Sequence, residues 1–208
     1  MTFTQSILAF LAAASILTIT PGLDTAMVLR TAATSGARPA WLAAIGIALG
    51  CLAWGVIVAT GLGALLAASP LAFPIVQWTG AAYLVWTGAR LLLKPRSAFA
   101  DGTDQHARSG REALRMGFLT NMLNPKVGVF YIAFLPQFMP AGADVALTTL
   151  LLAAIHVALG LVWFAGIIAA TVPFDRWLKT TLVIKTLDRL TGGVFIIFGV
   201  KLALFRQP

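Results

Sequence analysis

Four residues near the middle of the chain are out of place in their surroundings. In the stretch Gly117 to Phe138, GFLTNMLNPKVGVFYIAFLPQF, an otherwise apolar run carries Asn121, Asn124, Pro125 and Lys126. A lysine at the centre of a membrane helix costs about 2.5–3.5 kcal/mol on insertion scales. Pro125 removes a backbone donor and clashes with the carbonyl four residues back. Such residues are tolerated at membrane depth where they are buried in protein or line a polar cavity. A second set has the same character: Thr20, Pro21, Gly22 and Asp24 interrupt the first apolar run. A broken helix exposes amide donors at one new end and carbonyl acceptors at the other, with partial charges of opposite sign. A small zwitterion suits that chemistry. Its carboxylate can sit on the amides or on Lys126, and its ammonium on the carbonyls or on Asp24. Asn121 and Asn124 offer both donors and acceptors in neutral form. Asp24 is also a candidate proton carrier. The plainer alternatives are a structural Asp24–Lys126 ion pair, Asp24 starting a helix, and asparagines that only hold a kink together.

The elements that position these residues are membrane helices. The chain has 208 residues, of which 59% are hydrophobic and 11% charged, with a mean hydropathy of +0.90. A soluble domain carries about 25% charged residues. The long apolar runs predict six helical spans rather than barrel strands. They cover about 3–33, broken at Pro21-Gly22, then 40–67, 71–93, 113–138, 145–172 and 187–205. The alternating sequence from Pro173 to Lys185 suits a segment lying in the interface plane. Ala43, Gly46, Gly50 and Ala53 form a narrow stripe that lets backbones approach closely, within one chain or between subunits of a homo-oligomer. A formal charge of +8 then reports loop orientation rather than nucleic-acid binding. Most basic residues fall in the first, third and fifth loops, which predicts that these are cytoplasmic and both termini outside.

The two interruptions lie half a chain length apart, each in the first span of a three-span group. An odd number of spans, repeated in tandem, has opposite orientations in the membrane. The expected fold is therefore an all-α integral membrane protein of two inverted three-helix repeats. The whole chain, 1–208, makes one transmembrane domain: repeat 1 over about 1–93, a polar cytoplasmic loop over about 94–112, and repeat 2 over about 113–208. Paired proline breaks in matching positions point to a substrate site near the bilayer midplane. Prolines are also common in membrane helices generally.

Other residues add less. His156 sits mid-span with Ala153, Gly160 and Trp163 on its helical face, as a candidate proton relay or a hydrogen-bonded packing histidine. A single cysteine, Cys51, allows no internal disulfide and no paired-cysteine redox motif. No Ser–His pair or His-Glu metal motif suggests an enzyme, and no cofactor or metal site is expected. A divalent-cation exporter remains the alternative; it needs several oxygen or imidazole ligands on one cavity, and Lys126 is a poor neighbour for a cation.

The two motifs carry a resemblance. TPGLDTAMVLRTAATSGARPAWLAAIGIALG resembles the N-terminal signature of the LysE/RhtB family of amino-acid exporters. GFLTNMLNPKVGVFYIAFLPQF resembles that family's second signature, and the likeness covers nearly the whole chain. It implies a multi-pass permease of the bacterial inner (cytoplasmic) membrane that exports amino acids or related metabolites, usually driven by the proton motive force. Position by position, the motifs map onto Thr20, Pro21, Gly22 and Asp24, and onto Asn121, Asn124, Pro125 and Lys126. This chain carries Leu23 where the family commonly has a second proline.

Overall fold

The computed structural model describes residues 2–20, 22–68, 72–95, 110–178 and 180–204. Among the described residues every regular element is helical. The first interrupted run forms α1 (Phe3–Ile19) and α2 (Leu23–Ser35), whose axes differ in direction by 50° over most of their length. Pro21 itself falls outside the described residues. Leu23 is the first residue of α2. Proline is favoured at that helix position too, so a leucine there leaves the break in place.

Two long helices follow the break. α3 spans Ala37–Ala68 and α4 spans Ala72–Leu93. Pro39 falls in the first turn of α3, where its missing N–H has no helical partner to lose. The second interrupted run is more divided than a kinked helix would be. It consists of α5 (Gly110–Met122), the short α6 (Pro125–Val129), a π-helical turn (Phe130–Phe134) and a 3-10 turn (Leu135–Phe138). Two helices complete the chain, α7 (Val145–Leu178) and α8 (Thr181–Leu204).

Several expected boundaries move. α5 begins at Gly110, before the expected Ala113, with Glu112 in its first turn, where an acid complements the helix dipole. α7 continues to Leu178, and α8 starts at Thr181, so most of the segment from Pro173 to Lys185 is helical and shared between the two. A helix makes its backbone bonds internally, so it runs on unaffected from hydrocarbon into water. Charged residues mark where the apolar layer stops, not where the helix stops. At 34 residues, α7 is about 50 Å long, well beyond the ~30 Å hydrocarbon core. By length and composition, Ala37–Gly61 and Val145–Thr171 can each cross a membrane, and the bent α1–α2 pair adds a third if it is one span.

Helix pairing rests on small residues. α3 packs along α5 and α7, α4 packs along α8, and α2 packs on both α3 and α7. Gly46 of α3 meets the backbone of Leu114 and Phe118, Gly117 of α5 meets the backbone of Ala43, and Gly50 meets the Asn121 side chain. The stripe of small residues on α3 is thus used inside the chain. On the other pair, Gly88 and Gly192 face each other's carbonyls, and Gly199 lies against Ala81 and Val85. Gly193 is not part of that seam, since a side chain there would meet nothing within 4 Å. The largest buried apolar cluster gathers Phe10, Phe130, Phe134 and Phe138, with ring centroids 5.3–6.0 Å apart along the group. The Ser6 hydroxyl donates to the Phe138 carbonyl and ties the start of α1 to this 3-10 turn.

Candidate functional site

The two interruptions meet. The last turn of α1 holds a carbonyl, that of Leu17, whose helical donor would belong to Pro21, a residue without an N–H. Lys126 supplies the donor from the other half of the chain. Its Nζ lies 2.9 Å from the Leu17 carbonyl oxygen and 2.7 Å from that of Thr20. An ammonium at a helix C-terminus also faces the negative end of the dipole. Thr20 closes the same turn, its N–H and hydroxyl both donating to the Ile16 carbonyl, at 3.1 and 2.6 Å. The direct Asp24–Lys126 ion pair that the sequence allows is not formed; α1 carbonyls hold the lysine instead.

The matching break in the second half is closed differently. The Asn121 carbonyl, whose helical donor would have been Pro125, accepts from the Asn124 N–H at 3.0 Å. Asn124 caps α6, its side-chain oxygen accepting from the Lys126 N–H at 3.1 Å. Pro125 takes the first helical position, where a missing N–H costs nothing. Asn121 is fully buried. Its side-chain nitrogen donates to the Asp24 carboxyl at 2.8 Å and to the Cys51 thiol at 3.4 Å.

These groups line a partly open cavity of about 50 Å³. Most of its polar lining lies at the breaks, at Thr18, Asp24, Thr25, Asn124 and Lys126, and His156 of α7 adds to it. Its apolar lining comes mostly from α3 and α7, including Ile47, Ala48, Leu161 and Phe164. Gly22 sits against the lysine, for a side-chain carbon added there would lie 3.5 Å from Nζ. Two oxygens on this wall, Asp24 Oδ1 and Thr18 Oγ1, are buried without a hydrogen-bond partner, as is Asn121 Oδ1 behind them. Native proteins rarely leave such atoms unpaired.

His156 points into the bundle, as its helical face implied, and lines the cavity. Its Nδ1 lies 3.1 Å from the Tyr131 hydroxyl. Tyr131 is fully buried in the π-helical turn. Sequence reading missed Tyr131, because a tyrosine in an aromatic run reads as packing. The one available signal was the crowding of Pro125 and Pro136 around it, which forecasts irregular helix; π turns occur frequently at functional sites. Cys51, Thr18 and Gly160 also line the cavity. Among the described residues, no group of three or more His, Cys, Asp or Glu side chains is placed to hold a metal ion.

Interrupted helices whose polar ends line a cavity are the architecture of a membrane transport protein. The profile of the LysE type translocator family matches residues 15–205, and the chain belongs to that family. It is 27% identical to the uncharacterized membrane protein YrhP of Bacillus subtilis over 208 residues, covering 96% of this chain and 99% of that one. It is 30% identical to the homoserine/homoserine lactone efflux protein of Salmonella typhimurium, with 96% of each chain covered. It is 29% identical to the leucine efflux protein of Enterobacter sp. (strain 638), with 93% of each covered. No solved structure matches the chain. Its helices and its relatives make it a multi-pass protein of the bacterial inner membrane.

Proposed function

We propose that this protein exports amino acids or related small metabolites by alternating access, with the proton motive force as driver and substrate bound between the two broken helices. The observation that carries the reading is the junction of the breaks: Lys126 from one half capping α1 in the other, beside a cavity with unpaired acceptors. The efflux functions named for the Salmonella and Enterobacter relatives support the same substrate class.

The way each helix end is satisfied orients the substrate. The carbonyls at the end of α1 are taken by Lys126. The start of α6 is capped by Asn124. The start of α2 at Gly22 has no side-chain cap. A substrate carboxylate therefore goes to the first-turn amides of α2 and the third N–H of Lys126. The substrate ammonium goes to Asp24 Oδ1 and Thr18 Oγ1. Asn121 holds the other carboxyl oxygen of Asp24 in place. A cavity of about 50 Å³ has room for a few waters and is smaller than the ~300 Å³ at which ligand pockets begin. Entry and exit need the two halves to part, and the Lys126 bonds are the links that would yield.

Two inverted repeats of three spans account for the packing. α3 and α7, the second helices of each half, lie together, as do α4 and α8, the third. α5 packs on α3 as α1 and α2 pack on α7. A two-fold axis in the membrane plane would exchange α3 with α7 and α4 with α8, although the packing of α2 on α3 has no match of equal extent in the second half.

Reconstitution into proteoliposomes with an imposed pH gradient tests the reading. Wild-type protein is expected to move amino acids with uncharged side chains when the pH gradient is imposed. Asp24→Asn should insert normally and lose gradient-driven flux. Unchanged gradient-driven flux in that variant would remove Asp24 from coupling. A wild type that moves no amino acid would overturn the function.

A further inference from the structure

We infer that Gly160 of α7 sets the size of substrate side chain that the transporter accepts, and that the side chain in question is uncharged and aliphatic. The inference rests on the amino-acid export reading and on this cavity being its site.

Most glycines buried in these helices have an evident reason to be glycine. At Gly46, Gly50, Gly88, Gly117, Gly192 and Gly199, an added side-chain carbon would lie within 3.0 Å of a neighbouring helix. Gly160 has no such reason. A carbon added there meets nothing within 4 Å, although glycine weakens a helix interior. Gly61, Gly166 and Gly193 are unopposed too, but among these only Gly160 lines the cavity. Gly160 is half-buried, so the open space in front of it adjoins the cavity it lines, and a side chain at this position would narrow that cavity.

The surroundings define what that space takes. Gly160 lies one helical turn from His156 and one from Phe164, which also line the cavity. Opposing lining from α3 is Ala44, Ile47 and Ala48. The carboxyl and the ammonium of the cavity, Asp24 and Lys126, are committed to the substrate's own ammonium and carboxylate. No charged side chain of the protein remains on this wall to pair with a lysine-like or glutamate-like substrate. A charge buried without a partner is costly, whereas an aliphatic side chain is favoured by burial.

Substrate competition in proteoliposomes tests this, comparing wild type, Gly160→Ala and Gly160→Val against alanine, valine, leucine, lysine and glutamate. One methylene in an apolar pocket is worth roughly 10-fold or more in discrimination. Gly160→Val is expected to lower leucine transport relative to alanine by at least ~10-fold, with Gly160→Ala between it and wild type. Thermal stability in detergent should hold in both, and Gly160→Ala carries the comparison should the valine variant misfold. An unchanged leucine-to-alanine ratio, or an equal loss for both, overturns the assignment of Gly160. Efficient lysine or glutamate transport by wild type overturns the aliphatic class while leaving export intact. A wild type inert toward every amino acid overturns export and this inference together.

Discussion

Lys126 shows how a membrane chain accommodates a half-buried lysine through carbonyl acceptors rather than a direct ion pair. The lysine and the proline that breaks α1 solve each other's problem. Pro21 leaves the Leu17 carbonyl without a helical donor, and the ammonium restores one at 2.9 Å. Hydrogen bonds to charged groups contribute about 1.5–3 kcal/mol each. Lys126→Met keeps the volume but strands two carbonyls, so apparent stability in detergent should fall by about 2–4 kcal/mol. Lys126→Arg, which keeps the donors, should lose less. Equal thermal denaturation profiles for Lys126→Met and wild type would show that the carbonyls find other partners. Tyr131 belongs to the same scale. Its hydroxyl fixes one nitrogen of His156, which makes it a positioning residue for that imidazole. Tyr131→Phe should alter the pH profile of transport while leaving substrate affinity within about twofold, because it removes one hydrogen bond of modest net worth. An unaltered profile, measured by flux at stepped internal pH, would assign the pair to packing.

At the scale of elements, helix irregularity and helix contact divide the labour. The second interrupted run passes from α-helix through a capped break, a π turn and a 3-10 turn within Asn124–Phe138. Straight helices could not bring Lys126, Tyr131 and the phenylalanine cluster to their three different neighbours. The seams between helices are the opposite, regular and tight. Gly117 meets the Ala43 backbone directly, and backbone cannot move aside as a side chain can. Gly117→Val should therefore cost about 3 kcal/mol or more, the upper end for overpacking. It is expected to appear as lost monodisperse protein on size-exclusion chromatography. Gly193→Ala, on the same scale, should be neutral or slightly stabilising. The expected positions of the helices were legible because hydropathy and proline act locally. Their ends at Leu178 and Thr181 were not, because a helix needs no apolar residues to continue into water.

For the molecule as a whole, the proposed substrate route runs through the cavity where the two interruptions meet. Cys51 offers a native probe, being the single cysteine of the chain and part of the cavity lining. Its alkylation by a small maleimide should be slow in the closed form and slowed further, several-fold, by a transported amino acid. Labelling indifferent to every amino acid would mean that substrate does not pass Cys51. The α4–α8 pair, by contrast, touches the remaining helices sparingly.

The chain's chemistry by itself determined the membrane class, the all-helical architecture, the two interruptions and the family. Each follows from composition or from a few adjacent residues: apolar runs long enough to span, prolines without N–H groups, and two motifs read in order. It also nominated Asp24, Asn121, Asn124 and Lys126, since polar groups in an apolar run need a reason. Tertiary structure alone decided which group answers which. Lys126 reaches carbonyls 109 and 106 positions away rather than Asp24. Asp24 is held by Asn121, Tyr131 meets His156, and Gly160 lines the cavity with no neighbouring helix against it. A buried donor must find an acceptor, but the sequence does not rank the acceptors. Ranking them depends on distance across the fold, which is set only when the two broken helices are packed together.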